Sequence, residues 1–359
     1  MKKPVSFAIV SALAIVIACA CPSQARMRTY FIAADEVVWN YAPSGHNEIT
    51  HAALGPLAPG QVGWSYKKAV YRAYTDASFR HLAPRAPADA YLGLIGPVVR
   101  AEVGDTIKVV FRNNTPLRLG VHPHGVLYKK DSEGAPYLDG TSGKDKADDA
   151  VAPGGTYAYT WEVPERAGPG PMDDSSILWM YHSHTDEVND VNTGLIGPIV
   201  VTAKGMANPD GTPKGVDAEV FAMFSEMDES LNRLLPRTLA DKALNPHGYK
   251  ASMPGFQNVN QIFSINGFVF GNMPPITLKE GAHVRWYVFA SMSDFDFHSP
   301  DWHGQTVIAN GNRTNVIQLG PMQMSVVDMV PDNVGTWLLN CDINVHYDAG
   351  MQALFRVVP

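Results

Sequence analysis

The sequence predicts an all-β protein made of two tandem Greek-key β-sandwiches. Three observations carry this reading. Short runs of β-branched and aromatic residues are punctuated by 31 glycines and 27 prolines, the spacing of strands and tight turns in a sandwich. Motifs of the first half recur in the second. A length of 359 residues suits two cores better than one.

The chain opens with two lysines, an apolar run over 4–20 and the small-residue site Ser23-Gln24-Ala25. This is the pattern of a cleaved secretory leader over 1–25, and it points to the periplasm or the extracellular space. A second reading is lipoprotein processing, since Val16-Ile17-Ala18-Cys19 resembles a lipobox and would anchor Cys19. No later segment is apolar for long enough to span a bilayer. Of three cysteines, Cys19 and Cys21 fall in the leader, which leaves Cys341 alone in the mature chain. A lone thiol in an oxidising compartment forms no internal disulfide. It is either a buried core residue or a metal ligand.

Strands are expected at 106–111, 157–163, 196–202, 284–289 and 353–358, and one helix within 228–244. VGDTIKVVFRNN pairs with EGAHVRWYVFAS, LGVHPHG with HSPDWHG, and WMYHSH with WLLNCD. The repeat divides the chain into a first sandwich over 26–203, a Gly/Pro-rich linker over 204–216 and a second sandwich over 217–359. Hydrophobic residues make up 45% and charged residues 18%, as in ordinary folded proteins. A net charge of −7 without any Lys/Arg run gives no support to a nucleic-acid partner.

The chemistry gathers in WLLNCDINVHYDAGM, which spaces Cys341, His346 and Met351 at intervals of five. With His298 from FHSPDWHG they form the His₂Cys set with an axial Met of a type 1 copper site. Read without gaps, the first copy has Leu119, Ser183, Val188 and Thr193 at these positions and no type 1 site. It carries instead two His-x-His pairs, His122 with His124 and His182 with His184. Residues i and i+2 of a strand share a face, so two such pairs on neighbouring strands present four imidazoles to one place. That surface suits copper or another transition metal.

FIAADEVVWNYAP, LGLIGPVVRAEVGDTIKVVFRN, HPHG, YHSHTDEVNDVNTGLIGPIVV and INGFVFGN resemble the multicopper oxidases, above all their ceruloplasmin and hephaestin branch. The resemblance covers nearly all of the mature chain and implies two cupredoxin-like domains. In that family eight histidines from two facing domains hold a trinuclear copper cluster, and a His-Cys-His segment feeds it electrons from type 1 copper. Four cluster ligands map onto His122, His124, His182 and His184. The other four do not all survive: His303 is present, its motif partner is Asp301, and His-Cys-His has become Asn340-Cys341-Asp342. This argues against a standard trinuclear site.

The resemblance also implies a homotrimer, in which the quartet of one chain would meet Asp301 and His303 of the next and hold one to three metal ions. Asp148 and Asp149 match an acidic calcium-binding pair of related domains, and a solvated acidic loop is the other reading. The function expected is an exported copper oxidoreductase. It would take single electrons from a small donor or a redox protein at type 1 copper and pass them to an interface site, where Asp301 handles protons. Two alternatives stand beside it. His298, Asp301 and His303 also fit the His-x-x-Asp-x-His segment of copper nitrite reductases. A non-enzymatic electron carrier would explain the altered Asn340 and Asp342.

Overall fold

The computed structural model describes residues 25–292 and 296–359. The expected leader and Cys19 lie outside the described residues, apart from Ala25. The first half contains β1 (Met27–Asn40), the short ribbon of β2 (His46–Asn47) and β3 (Ala52–Ala53), and β4 (Ser65–Tyr74). There follow β5 (Val99–Glu102), β6 (Thr106–Asn113), β7 (His122–Pro123) and β8 (Leu127–Tyr128). It ends with β9 (Thr156–Glu162), β10 (Ser176–His182), helix α1 (Glu187–Thr193) and β11 (Ile196–Thr202).

The second half runs from β12 (Ala218–Asp228) through helices α2 (Leu235–Ala240) and α3 (Phe256–Val259) to β13 (Gln261–Ile265). β14 (Ile276–Lys279), β15 (Val284–Ala290), β16 (Pro300–Trp302), β17 (Val307–Ala309) and β18 (Asn312–Thr314) come next. β19 (Met324–Met329), β20 (Gly335–Cys341), helix α4 (Asn344–Asp348) and β21 (Gln352–Val358) complete the chain.

Each half is a pair of sheets with one strand order. The first has β4-β1-β6-β9-β8 over β5-β11-β10-β7, and the second β13-β12-β15-β19-β17-β18 over β14-β21-β20-β16. The parallel pairs recur as well, β1 with β6 and β5 with β11, then β12 with β15 and β14 with β21. All five expected strands form. β6 alternates buried and half-buried residues along its length, the period-2 pattern of a strand with one face inward. β15 is buried throughout because its outer face meets the first half. There Tyr287 Oη lies 2.7 Å from Ser176 Oγ, and Arg285 donates to Ser175 and Ser176 at 2.9 Å.

Further polar contacts tie the halves together. Lys68 and Glu229 form a fully buried ion pair at 2.6 Å, and Arg100 meets Glu219 at 2.8 Å. The helix expected within 228–244 is shorter than expected: β12 extends to Asp228, and α2 occupies six residues opened by Pro236. No helix among the described residues is long and apolar enough to cross a membrane.

Candidate metal centres

One glycine in each half explains why HPHG and DWHG end as they do. Gly125 (φ +76°) and Gly304 (φ +68°) sit in the left-handed region, and a Cβ on either would stand 2.2 and 2.3 Å from the rings of Trp179 and Trp337. These tryptophans open the paired motifs WMYHSH and WLLNCD. The ring lies in the space glycine leaves and so holds the short strand against its neighbour. His122 then faces His182 across β7 and β10, as Asp301 faces Asn340 across β16 and β20.

In the second half His298, Cys341 and His346 converge, and one ligand atom from each lies within 4.8 Å of the others. Cys341 Sγ is 3.4 Å from His346 Nδ1 and accepts from the Ser299 amide at 3.2 Å. Cys341, His346 and Met351 are fully buried, and His298 nearly so. Met351 neighbours Cys341 across the backbone, where the Cys341 amide donates to its carbonyl at 3.2 Å. Both ring nitrogens of His298 are buried without a partner, an arrangement that costs free energy unless a ligand is bound. Burial pushes the His298 pKa down to about 3 and lowers that of His346, so both imidazoles are in the neutral, ligating form. Burial raises the Cys341 thiol, so loading a metal there would displace its proton. The donor set fits soft copper.

In the first half the four histidines come together. His124 Nε2 and His182 Nε2 are 3.0 Å apart, and the His122 and His184 rings lie 5.0 Å apart. Outer contacts fix the tautomers: His122 Nδ1 meets the Glu133 carbonyl at 2.6 Å and His182 Nδ1 the Ser183 carbonyl at 3.2 Å. Each leaves Nε2 for the centre of the cluster. Burial lowers His122 to about 4, lowers His124, and takes His182 well below the ordinary value.

The second half presents a different face at the same positions. Asp301 Oδ2 is 3.2 Å from His303 Nε2, and its Oδ1 accepts from Asn315 at 2.8 Å. Burial and then the neighbouring Asp342 raise the Asp301 pKa. Asn340 donates to Asp342 at 2.8 Å, while its own side-chain oxygen is buried without a partner.

Backbone bonding corrects the ungapped alignment. The Leu195 amide donates to Asp190 and the Ser183 amide to Leu195, as Met351 donates to His346 and Cys341 to Met351. The first-half counterparts of His346 and Met351 are therefore Asp190 and Leu195, not Val188 and Thr193. α1 has seven residues against five in α4, and that insertion shifts the register. Where the second half has a Cys–His pair, the first has Ser183 Oγ donating to Asp190 at 2.6 Å, with Asp190 also paired to Arg233 at 2.5 Å.

Two acids escaped the sequence reading. Asp296 Oδ2 lies 3.2 Å from the outer nitrogen of His346, and Glu187 reaches the quartet. Asp296 stands two residues before His298, and Glu187 three after His184, so proximity to the motifs was the available signal. In the acidic loop, Asp148 accepts from the Gly134 amide at 2.7 Å and is raised to about 6 by burial. Asp149 is paired to Lys146 at 3.3 Å.

Paired sandwiches bearing a Cys-His-His-Met set and a histidine quartet define a transition-metal protein. Two multicopper oxidase family models match the chain, over residues 92–205 and 245–359. The chain belongs to the multicopper oxidases, a family of copper-dependent oxidoreductases, within the ceruloplasmin and hephaestin branch. It is 38% identical to hephaestin of Rattus norvegicus over 94% of its own length and 30% of that protein. It is 39% identical to ferroxidase HEPHL1 of Homo sapiens over 92% and 29%, and 36% identical to ceruloplasmin of Homo sapiens over 92% and 32%. The chain thus spans about three tenths of the length of these relatives. Among solved structures, a multicopper oxidase superposes with a TM-score of 0.58 at 16% identity, covering 92% of this chain and 89% of the other. A blue copper oxidase from Nitrosomonas europaea gives 0.55 at 17%, covering 93% and 86%. These two show the fold, two cupredoxin-like sandwiches. Family and relatives favour an oxidase over a nitrite reductase.

Proposed function

We propose that the chain is an exported copper oxidoreductase, working as a homotrimer, that takes single electrons from an outer donor and delivers them to oxygen or another small acceptor. His298, Cys341, His346 and Met351 would hold type 1 copper. His122, His124, His182 and His184 of one protomer would meet Asp301 and His303 of the next and hold further copper. Copper in these places supplies one-electron transfer and the reduction of the acceptor.

The observation that carries the reading is that one chain keeps both donor sets, each with its imidazoles gathered in one place. His122 and His182 are held by carbonyls with Nε2 directed inward. Asp301, its pKa raised, would hold a proton on Oδ2 close to the acceptor, the part of a general acid. His303, half exposed beside it, would be the one imidazole that the second sandwich contributes. A heterologous contact between unlike faces closes into a ring, which supports the trimer.

Cys341→Ser tests the reading, since it removes the thiolate and leaves the fold. The variant should lose the blue absorption band and steady-state oxidation of a one-electron donor, while keeping copper at the quartet. Turnover at the parental rate would refute the electron path. Calcium on Asp148 and Asp149 is a second proposal, supported by the buried, unpartnered Oδ1 of Asp148. Binding there would require Lys146 to release Asp149.

A further inference from the structure

We infer that Glu187 is a fifth metal-binding group of the histidine quartet, so that the first sandwich holds a His/Glu site within one chain. The inference rests on the copper reading of the quartet given above and adds a ligand to it. Glu187 Oε2 lies 3.1 Å from His184 Nε2, and Oε1 lies 3.7 Å from His182 Nε2. His124 Nε2 and His182 Nε2 stand 3.0 Å apart. Two donors on one ion, each about 2.0–2.1 Å from it, are separated by roughly 3 Å or slightly more. The carboxylate and the imidazoles are therefore spaced as groups that share an ion.

The carboxylate reaches two imidazoles at once, and His182, the more distant of them, is fully buried. His124 and His182 point nitrogens at each other, and one proton at most fits between them.

The backbone under Glu187 is fixed from both sandwiches. Lys68 donates to the Asn192 carbonyl at 2.6 Å, Asp228 N donates to Asn192 Oδ1 at 2.9 Å, and Arg233 N donates to Thr193 Oγ1 at 2.9 Å. These bonds hold α1 at its carboxyl end, while the Asp186 amide bonds Asp190 at 3.0 Å beside its start. The second half, whose loop is shorter, has no acid between Asp342 and α4. Glu187 thus lies in the longer segment, on the half that kept its histidines. A carboxylate there offsets in part the three histidines replaced by Asp301, Asn340 and Asp342.

The test uses the full mature chain, freed of metal and titrated with Cu(II) against a competing chelator. Metal per chain and the electron paramagnetic resonance spectrum are read, and the blue band serves as an internal report of folding. Glu187→Gln and Glu187→Ala should keep the blue band, weaken the non-type-1 copper about tenfold or more, and change its copper hyperfine splitting. Parental affinity with an unchanged spectrum in both variants would overturn the role of Glu187. His124→Ala separates the two layers of the argument. If it too binds the second copper as the parent does, the quartet reading itself fails. If it loses that copper while the Glu187 variants do not, only the inference falls.

Discussion

The two sandwiches share the order of their central strands and even the tryptophan under each glycine, yet each presents a different candidate ligand set. At one set of positions the second half has Cys341, His346, Met351 and His298, while the first has Ser183, Asp190, Leu195 and Leu119. At the other set the first half has four histidines and the second has Asp301, His303, Asn340 and Asp342. The scaffold therefore fixes where a ligand could stand, and side-chain identity alone decides whether one does. The vacated type 1 position is not empty space: Ser183, Asp190 and Arg233 fill it with a hydrogen-bonded ion pair that joins the halves.

Breaking that replacement should have the largest effect. Arg233→Met leaves Asp190, whose pKa burial already raises, as a buried carboxylate without its cation. The expected loss is about 3 kcal/mol, read from the urea midpoint, with the blue band retained until unfolding. An unchanged midpoint would mean that the first sandwich does not depend on the pair.

The glycine–tryptophan contact sharpens the comparison from the other side. Gly304→Ala and Gly125→Ala should each destabilise by about 1–3 kcal/mol, since each puts a methyl into an indole ring. The first should disturb the Asp301/His303 face and the second the quartet. Copper retention at the quartet in Gly125→Ala would show that the short β7 tolerates the shift.

The smallest effect concerns the approach to the central strand, where the two halves carry different ion pairs. Before β6, Asp105 pairs with Arg28 at 2.5 Å; before β15, His283 pairs with Asp328 at 2.7 Å. Burial works against the charged form of His283, but the bond it donates to Asp328, with the Gly215 carbonyl and the Asp328 charge, outweighs it and raises the pKa. A raised value stabilises the fold fully below the ordinary histidine value of about 6.5, and that stability is lost as pH rises through the folded value. His283→Asn should flatten the stability–pH curve above about pH 6.5, by less than about 1 kcal/mol because the site is partly exposed. An unchanged slope would count against the pair.

Much of this was legible in the sequence. Runs of β-branched and aromatic residues between Gly/Pro turns gave the strands, and the paired motifs gave the repeat, because both follow from local chemistry. His298, Cys341 and His346 could be grouped from ligand type and spacing, and they do converge. The counterparts of His346 and Met351 were misplaced because an insertion inside α1 leaves no mark on an ungapped alignment. Glu187 and Asp296 were missed for a different reason. Their nearness to His184 and His298 in sequence marked them as candidates, but their contacts with His182 and His346 depend on how the loops fold. The full burial of β15 depends on the other sandwich covering its outer face, which the strand's own sequence does not encode.

The central claim is that one chain holds two distinct copper centres. The most direct test is copper per chain on the fully loaded mature protein, with its electron paramagnetic resonance spectrum. The account predicts more than one copper per chain, one giving the type 1 signal and the remainder lost on His124→Ala. A single copper per chain with only a type 1 signal would contradict it.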